Sequence, residues 1–442
     1  MEKGGYGMGN INVLPTKEQV LWADAEVGVI IHYDLTSFHP GYDFRAHWDE
    51  PIPPSDFNPE ALDTDRWIKT AKDMGARYAV LVAKHCTGFC LWQTKEHDYS
   101  VKSAPWKNGK GDVVADFFAS CKKYGIRPGL YYSASCNQFA DVDNPGKARS
   151  GKKEDQERYN ELVIAQLTEL WTNYGEFFEI WFDGGCLKPS DGGADIAPLL
   201  ARLQPNAVVF QGPREINSLV RWCGNERAEA GENCSAIFSY SDMNDDGTTE
   251  RPDSGDTFGD VWCPAECDMP NRDPHRANAN GWFWAPGEDD TVFSSEELFD
   301  RYLKSVGRNG NLLIGMAIDE RGLVPEKDAA EFKKFGDKVR AVFGTPEAEN
   351  FIKTGENEYE ISGNGSALYA AVGENIEKGE RVTGYTLSAE DKEGKEIFSY
   401  SGTVISHKRI IAVPEGAVKI KLKITDFKDT PEIRFFKIYK RA

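Results

Sequence analysis

The feature that most constrains this 442-residue chain is an alternation of short apolar runs with amphipathic stretches, which begins near residue 28. The amphipathic stretches space their apolar residues three and four positions apart, as helices do. Apolar runs with few polar interruptions are typical of parallel strands that helices cover. More than six such units follow one another, which favours an α/β fold closed into a (β/α)8-like barrel over an open sheet. The predicted strands include "GVIIHYD", "YAVLVAKH", "IRPGLYYS", "FEIWFDGG", "AVVFQG", "GDVWCPAECD" and "NLLIGMAI", and the predicted helices include "PEALDTDRWIKTAKDMGA", "DVVADFFASCKKYG" and "SEELFDRYLKSVGRNG".

A second pattern replaces the first after "VFGTPEA", at residues 342–348. All eleven Trp and all nine Cys lie before residue 285, and the later sequence alternates apolar and polar residues between turns rich in Gly, Asn and Asp. Such alternation is typical of antiparallel strands with one buried face. We therefore predict a barrel over residues 1–345 and a C-terminal antiparallel β-sandwich over residues 346–442.

Composition excludes several classes of partner. The net charge is −19 and the pI is near 5.0, which argues against nucleic acid and anionic membrane surfaces. No segment has the roughly 18 consecutive apolar residues of a membrane span, so we expect no membrane insertion. The first ten residues lack the apolar core of a signal peptide. As the sequence stands, the expected location is the cytoplasm; it becomes the periplasm or the exterior if a signal peptide was removed.

Polar side chains follow the predicted strands. In a barrel the catalytic groups lie at the carboxyl ends of the strands, so these residues should share one rim. They are His32, His85, Tyr131 or Tyr132, Asp183 and Glu226. Asp183 is followed by two glycines, a sequence that is common in turns but that would also let a ligand approach the carboxylate closely. We interpret Gly184 and Gly185 as leaving room for such a ligand.

Several motifs are missing from the sequence, and their absence excludes some kinds of chemistry at this rim. There is no G-x-S-x-G nucleophile motif and no phosphate-binding glycine loop. The pairs Cys86 with Cys90 and Cys263 with Cys267 fit no familiar zinc spacing, so we expect neither a metal nor a cofactor. Two carboxylates among aromatic residues remain, and this is what a glycosidase requires. Aromatic rings also cover the apolar faces of sugars, and the candidates for that role include Trp48, Trp181 and Trp282.

The motifs resemble those of the α-L-fucosidases of glycoside hydrolase family 29 through nearly the whole predicted barrel. The resemblance implies a retaining exo-α-L-fucosidase that acts on fucosylated oligosaccharides or glycoconjugates. "RWCGNE" and "PAECD" are similar to the subgroup that prefers α-1,3/1,4-linked fucose. The matching segments are "PTKEQVLWADAEVGVIIH", "DTDRWIKTAKDMGARYAVLVAKH", "GFCLWQTKEHDYSVKSAPWKNGKGDVV", "IWFDGG", "VRWCGNE", "CPAECD", "GWFW" and "KSVGRNGNLLIGMAIDERGLV".

The resemblance assigns roles to individual residues. Asp183 matches the nucleophile and Glu226 the acid/base of this subgroup. The positions that match fucose contacts are His32, Trp48, His85 and Tyr131. The chain departs from the family at Cys86 and Thr87, where His and Asp are usual, at His47, where Glu is usual, and at Asp34, where Gly is usual. His47 and Cys86 therefore belong to the predicted sugar-binding set and bear on which sugar fits.

Two alternatives stay open at the level of the sequence. One is a retaining glycosidase for a related sugar such as a galactoside, which the departures at Cys86 and His47 would permit. The other is a glycan-binding protein without catalysis, against which the presence of both Asp183 and Glu226 argues. Glu266, in "CPAECD", is a further candidate as a buried sugar ligand or as the acid itself.

Overall fold

The computed structural model of the protein describes residues 13–244, 247–249 and 253–440. The helices are α1 (Lys17–Ala23), α2 (Thr64–Met74), α3 (Val113–Tyr124), α4 (Lys153–Asn173), α5 (Ala197–Leu203), α6 (Ser295–Lys304) and α7 (Glu326–Phe343). The strands are β1 (Val27–His32), β2 (Tyr78–Lys84), β3 (Arg127–Tyr132), β4 (Val142–Asp143), β5 (Lys147–Ala148), β6 (Glu179–Trp181), β7 (Val208–Phe210), β8 (Leu219–Trp222), β9 (Ile237–Phe238), β10 (Val261–Trp262), β11 (Ala265–Met269), β12 (Gly310–Ala317), β13 (Ile352–Gly355), β14 (Glu358–Ser362), β15 (Ala367–Glu374), β16 (Val382–Glu390), β17 (Glu396–Gly402), β18 (Arg409–Ala412), β19 (Lys419–Phe427) and β20 (Ile433–Lys440).

Eight parallel strands close into a barrel in the order β1-β12-β11-β8-β7-β6-β3-β2, which confirms the predicted fold class. Side chains alternate between the inside of the barrel and the helical layer, because successive strand residues point to opposite faces. Tyr78, Tyr131 and Trp181 belong to the interior cluster. A separate and larger cluster lies between the strands and the helices and includes Ile31 and Leu81. The interior is therefore a packed core, and a site can form only above it.

Local signals set where the helices begin and end. The Asp63 side chain accepts a hydrogen bond from Arg66 N and caps the start of α2. Gly75, with φ 96°, follows the last residue of α2 and caps its end. Asp112 and Gly125 serve α3 in the same way. A capping carboxylate satisfies a free N–H at the first turn, and glycine adopts the left-handed conformation without strain. The sequence pattern predicted α2 to start earlier, at Pro59, but the cap limits it to residue 64. Among the described residues, none of the helices combines the length and the apolar character needed to cross a bilayer.

Two connections of the barrel are irregular. In the stretch from β7 to β8, residues 211–218 form no helix, and the described residues between β8 and β11 include no α-helix. That second connection holds the antiparallel pair β9–β10, in which Val261 lies opposite Phe238. The polar segment 227–258 lies within it, and residues 245, 246 and 250–252 are outside the described part.

The C-terminal strands form two antiparallel sheets, one ordered β13-β14-β19-β16-β17 and the other β18-β15-β20. A third apolar cluster lies between them and includes Leu387, Leu422 and Phe436. The predicted domain boundary at residues 345–346 falls between α7 and β13, and this division of the chain stays a prediction.

Candidate active site

A cavity of about 440 Å³ opens at the carboxyl ends of the barrel strands. The loop after β1 and the loop after β11 form its outer walls, and the two loops are joined where Gly41 N donates to Asn278 Oδ1 at 2.8 Å. The structure brings together in its lining seven residues that the sequence singled out: His32, His85, Tyr131, Trp181, Asp183, Glu226 and Trp282.

Asp183 lies two residues beyond β6 and is held on several sides. The hydroxyl of Tyr131, on the neighbouring strand β3, donates to Asp183 Oδ2 at 2.8 Å. Ser135 Oγ donates to the backbone carbonyl of Asp183 at 2.6 Å. The next amide, Gly184 N, donates to Gln211 Oε1 at 3.1 Å. One carboxylate oxygen is thus oriented by Tyr131, and the carboxylate faces a cavity.

The backbone at Gly184 gives one reason for a glycine after Asp183. Its φ is 66°, in the left-handed region. A Cβ placed there would meet Ser135 Oγ at 3.4 Å and Asn144 Nδ2 at 3.5 Å, which are ordinary contact distances. The backbone conformation therefore favours a glycine. This reason involves no ligand, and our interpretation that Gly184 and Gly185 leave room for one stays a prediction.

Glu226 lies on the loop after β8, at the exposed rim of the cavity. Its pKa is raised above the usual value, mainly because surrounding protein desolvates the carboxylate and also because Asp183 is nearby. The indole of Trp282 donates a hydrogen bond to the carboxylate and opposes that shift. Glu226 therefore stays protonated over a wider pH range than a free glutamate.

Histidine and aromatic rings form the inner wall of the cavity. The His85 ring stacks on Tyr131 with centroids 5.8 Å apart, and Tyr131 stacks on Trp181 at 5.3 Å. His32 lies 4.9 Å from the Trp282 ring and 6.0 Å from His85. Burial, with a contribution from His85, holds the pKa of His32 well below its ordinary value, so this imidazole is neutral. A neutral imidazole can both donate to and accept from a hydroxyl.

Asp268 is a cavity residue that the sequence analysis missed. It lies on β11, is 4% exposed, and accepts a hydrogen bond from Trp222 Nε1 at 2.6 Å. Burial raises the pKa of Asp268, a residue of the cavity lining, well above its usual range, which favours the neutral acid form. Strand periodicity could have found it, because Asp268 follows Glu266 by two residues and must point to the same side of the sheet.

Glu266 lies below the cavity, inside the barrel, and is not among the lining residues. It accepts hydrogen bonds from Tyr78 Oη at 2.6 Å and from Trp181 Nε1 at 2.9 Å. Glu179 is hydrogen-bonded to it and is itself fully buried. Burial raises the pKa of Glu266 to about 7 and that of Glu179 well above its usual range. The two groups form a buried acid pair that supports Trp181 from beneath.

His47 and Trp48, on the loop after β1, are not among the residues that line the cavity. Trp48 Nε1 donates to Asp141 Oδ1 at 2.8 Å, and the exposed His47 stacks on Tyr42 with centroids 5.3 Å apart. Phe44 and Arg45 of the same loop line the cavity instead. The path of this long loop is set by tertiary contacts that the local sequence does not reveal.

Cys86 is buried beside the cavity and is not part of its lining. Its Sγ lies 3.7 Å from Ser133 Oγ and is hydrogen-bonded to the thiol of Cys136. Thr87 and Asp34 also differ from the usual family residues, and they contact each other: Thr87 Oγ1 donates to Asp34 Oδ2 at 3.0 Å. One donor atom each from His85, Cys86 and Asp183 lie within 4.8 Å of one another, which makes this the one group of three metal-binding side chains among the described residues.

Comparisons with known proteins show what the chain is similar to. A family model described as "Alpha-L-fucosidase" matches residues 38–341. The Arabidopsis thaliana protein named Alpha-L-fucosidase 1 is 35% identical over 342 residues, which cover 75% of this chain and 61% of the plant protein. The chain spans about three fifths of the length of the curated plant relatives it matches.

Solved structures match over nearly the whole chain. A crystal structure from Bacteroides thetaiotaomicron, described as a "putative alpha-L-fucosidase", has a TM-score of 0.88 at 33% identity and covers 97% of this chain and 100% of that chain. A member of the glycoside hydrolase 29 family from a rumen bacterium has a TM-score of 0.81 at 29% identity, with coverage of 97% and 78%.

Proposed function

This chain belongs to the alpha-L-fucosidase family, and on that premise we propose that it is a retaining exo-α-L-fucosidase. It would be a glycoside hydrolase that removes terminal α-linked fucose from oligosaccharides or glycoconjugates. Asp183 is the proposed nucleophile and Glu226 the proposed acid/base.

The observation that supports this proposal most strongly is the contrast between two carboxyl groups in one cavity. Asp183 is oriented by a hydroxyl donor, which suits a carboxylate. Glu226 has a raised pKa, which suits a proton donor. A pair of carboxyl groups in such different environments is what retaining glycosidases use to divide the roles of nucleophile and acid. A protein that only binds glycans does not need this contrast.

The proposed reaction has two steps. In the first, an oxygen of Asp183 bonds to the anomeric carbon, the glycosidic bond breaks, and the leaving oxygen takes the proton of Glu226. In the second, the Glu226 carboxylate takes a proton from water, the water oxygen bonds to the anomeric carbon, and the ester to Asp183 breaks. Both carboxyl groups return to their starting states. Tyr131 keeps the second Asp183 oxygen occupied, so that the free one attacks.

The remaining lining residues suit a small, uncharged sugar. The neutral imidazole of His32 and the acid form of Asp268 present hydrogen-bonding groups to hydroxyls. Trp181 and Trp282 present apolar ring surface, which the C–H faces of a 6-deoxy sugar can cover. As a finer proposal, the substrate linkage is α-1,3 or α-1,4, as the resemblance of "RWCGNE" and "PAECD" implies.

A substrate panel tests the activity and the mechanism together. The purified protein is incubated with α-1,3/1,4-fucosylated trisaccharides, an α-1,2-fucosylated trisaccharide, an aryl α-L-fucoside and an aryl galactoside. We expect fucose release from the α-1,3/1,4 compounds, with the α-anomer as the first product by NMR. Turnover of the galactoside alone would contradict the proposed sugar, and an initial β-anomer would contradict retention.

Azide rescue tests the assignment of Glu226 against Glu266. Glu226→Ala should lose far less activity on an aryl fucoside with a good leaving group than on a natural glycan, because the first step then needs no acid. Added azide should restore turnover and give the α-fucosyl azide, since it replaces the water that Glu226 would activate. Glu266→Ala is the matched control and should show no rescue. Rescue of Glu266→Ala alone would move the acid/base role to Glu266.

A further inference from the structure

Two side chains of the cavity wall and a thiol buried beside it carry donor atoms that suit a soft divalent metal ion. His85, Cys86 and Asp183 each present one donor atom, and these atoms lie within 4.8 Å of one another. His85 and Asp183 line the open cavity, so a hydrated ion can reach them from solvent. We propose that these three residues bind one Zn²⁺ ion, and that the bound ion blocks the Asp183 carboxylate.

Each donor is available for a metal. No hydrogen bond to the His85 imidazole forms among the described residues, and the Asp183 bond to Tyr131 uses only Oδ2. The Cys86 thiol has only weak contacts, with Ser133 Oγ at 3.7 Å and with the neighbouring Cys136 thiol. Binding through Oδ1 of Asp183 would therefore displace no strong interaction.

The chemistry of the donors favours zinc over harder ions. Thiolate and imidazole are soft or borderline ligands, whereas Mg²⁺ and Ca²⁺ require oxygen ligands. Three protein ligands with one open position is a common arrangement for Zn²⁺, with bonds of about 2.0–2.3 Å. A tetrahedral site with such bonds separates its donors by roughly 3.3–3.8 Å. Donors that already lie within 4.8 Å need shifts of about an ångström to close on the ion.

Binding is coupled to one proton. The Cys86 thiol must lose its proton to solvent when sulfur bonds to the metal, while His85 binds as neutral imidazole and Asp183 as carboxylate. With the Asp183 oxygen on the metal, the carboxylate can no longer attack a sugar. Only this inhibition rests on the proposed function; the metal binding itself does not.

The binding is tested with Co²⁺ as a spectroscopic probe for Zn²⁺. The chelator-treated protein, kept reduced with a phosphine, is titrated with Co²⁺. We expect a thiolate-to-cobalt charge-transfer absorption that saturates at one ion per chain and is displaced by one equivalent of Zn²⁺. A folded wild-type protein that develops no such absorption would overturn the proposal.

Matched variants assign the ligands. Cys86→Ser should abolish the absorption and weaken Zn²⁺ binding by at least about 100-fold, since the loss of even outer-sphere partners of a metal site costs 10–100-fold. Cys90→Ser removes another buried thiol and should keep both the absorption and the Zn²⁺ affinity. Asp183→Asn should keep the absorption but bind Zn²⁺ more weakly. This second variant tests the metal site if Cys86→Ser fails to fold. Unchanged absorption in Cys86→Ser, or unchanged Zn²⁺ affinity in Asp183→Asn, would refute the assignment.

Inhibition is measured separately. Fucoside turnover should fall in proportion to Zn²⁺ occupancy and return when a chelator is added, each variant being compared with its own metal-free rate. Full turnover with the site occupied would overturn the claim that the ion blocks Asp183. A protein that binds Co²⁺ through the thiolate but releases no fucose in its metal-free state would refute the proposed function and leave the metal site intact.

Discussion

At the rim of the cavity, one hydrogen bond from Trp282 opposes the effects that raise the pKa of Glu226. The proposed acid works only in its protonated form, so kcat/KM should fall as the pH rises through this pKa. Removing the bond in Trp282→Phe destabilises the carboxylate and raises the pKa further. We therefore predict that the alkaline limb of the pH profile moves to higher pH in Trp282→Phe, measured with an aryl fucoside.

Trp222→Phe is the matched control for this prediction. It removes an indole donor from a different carboxyl group, since Trp222 bonds to Asp268. Burial already raises the pKa of Asp268 well above its usual range, and a further rise at this residue should not move a limb that belongs to Glu226. An alkaline limb that moves equally in both variants, or that moves to lower pH in Trp282→Phe, would contradict the assignment of Glu226 as the acid.

Between strands β6 and β11, the buried pair of Glu179 and Glu266 shares a hydrogen bond within the barrel. Glu179 has the more strongly raised pKa, so we expect it to be the donor of this bond, while Glu266 also accepts from Tyr78 and Trp181. In Glu179→Gln the new amide NH2 can still donate a hydrogen bond to Glu266. In Glu266→Gln one of the two acceptor oxygens is replaced by an NH2 group, which donates and cannot accept.

We predict from this asymmetry that Glu266→Gln lowers the free energy of unfolding by about 1–3 kcal/mol, the usual cost of leaving buried polar groups unsatisfied. Glu179→Gln, its matched control, should change the stability much less. Glu266→Gln should also raise KM, because the single remaining oxygen must serve both Trp181 and Tyr78 and Trp181 is then held less firmly. Urea denaturation and steady-state kinetics measure both effects. Equal stability losses in the two variants would show that the direction of the shared bond is wrong.

The strand ends explain how much of the site the sequence could predict. His32, His85, Tyr131 and Asp183 were found because apolar strands that end in polar residues must place them at one rim. The alternation of side chains along a strand determines whether a residue faces the barrel interior or the helices. How deep the residue lies within the barrel depends on the register between neighbouring strands. Glu266 pairs with Trp222 and Asn311 across the sheet, which places it a layer below Asp268.

Loops were predicted less well than strands. His47 and Trp48 are not in the cavity lining, and their positions depend on contacts with a distant segment, such as the hydrogen bond from Trp48 to Asp141. The two glycines after Asp183 are typical of a turn, and the φ of 66° at Gly184 agrees with that part of the pattern. The irregular connection before β11 has no periodic signal.

At the scale of the whole molecule, the C-terminal sheets are joined to the barrel by buried polar contacts. Glu380 is 2% exposed and accepts hydrogen bonds from Ser235 Oγ at 2.5 Å and Ala236 N at 2.9 Å. The amide of His407 donates to Asn309 Oδ1 at 3.0 Å. These contacts are lost if either part unfolds, so the stabilities of the two parts are coupled.

We therefore expect a single cooperative unfolding transition. All eleven Trp lie before residue 285, so tryptophan fluorescence reports on the barrel, while far-UV circular dichroism also reports on the C-terminal sheets. The two transitions should coincide in urea. Glu380→Ala leaves two buried donors unsatisfied and should lower the stability by about 2 kcal/mol in both signals. Separate midpoints in the wild-type protein would mean that the parts unfold independently.

The claim on which the whole account depends is that Asp183 forms a covalent bond to the sugar. Trapping with 2-deoxy-2-fluoro-L-fucosyl fluoride tests it directly, because the fluorine slows breakdown of the glycosyl-enzyme, and digestion with mass spectrometry then locates the label. The account predicts one fluorofucosyl group per chain, on the peptide that contains Asp183, and none on the Asp183→Asn variant. A label on Glu226 or Glu266, or turnover of the reagent to the β-anomer of fluorofucose with no label at all, would contradict it.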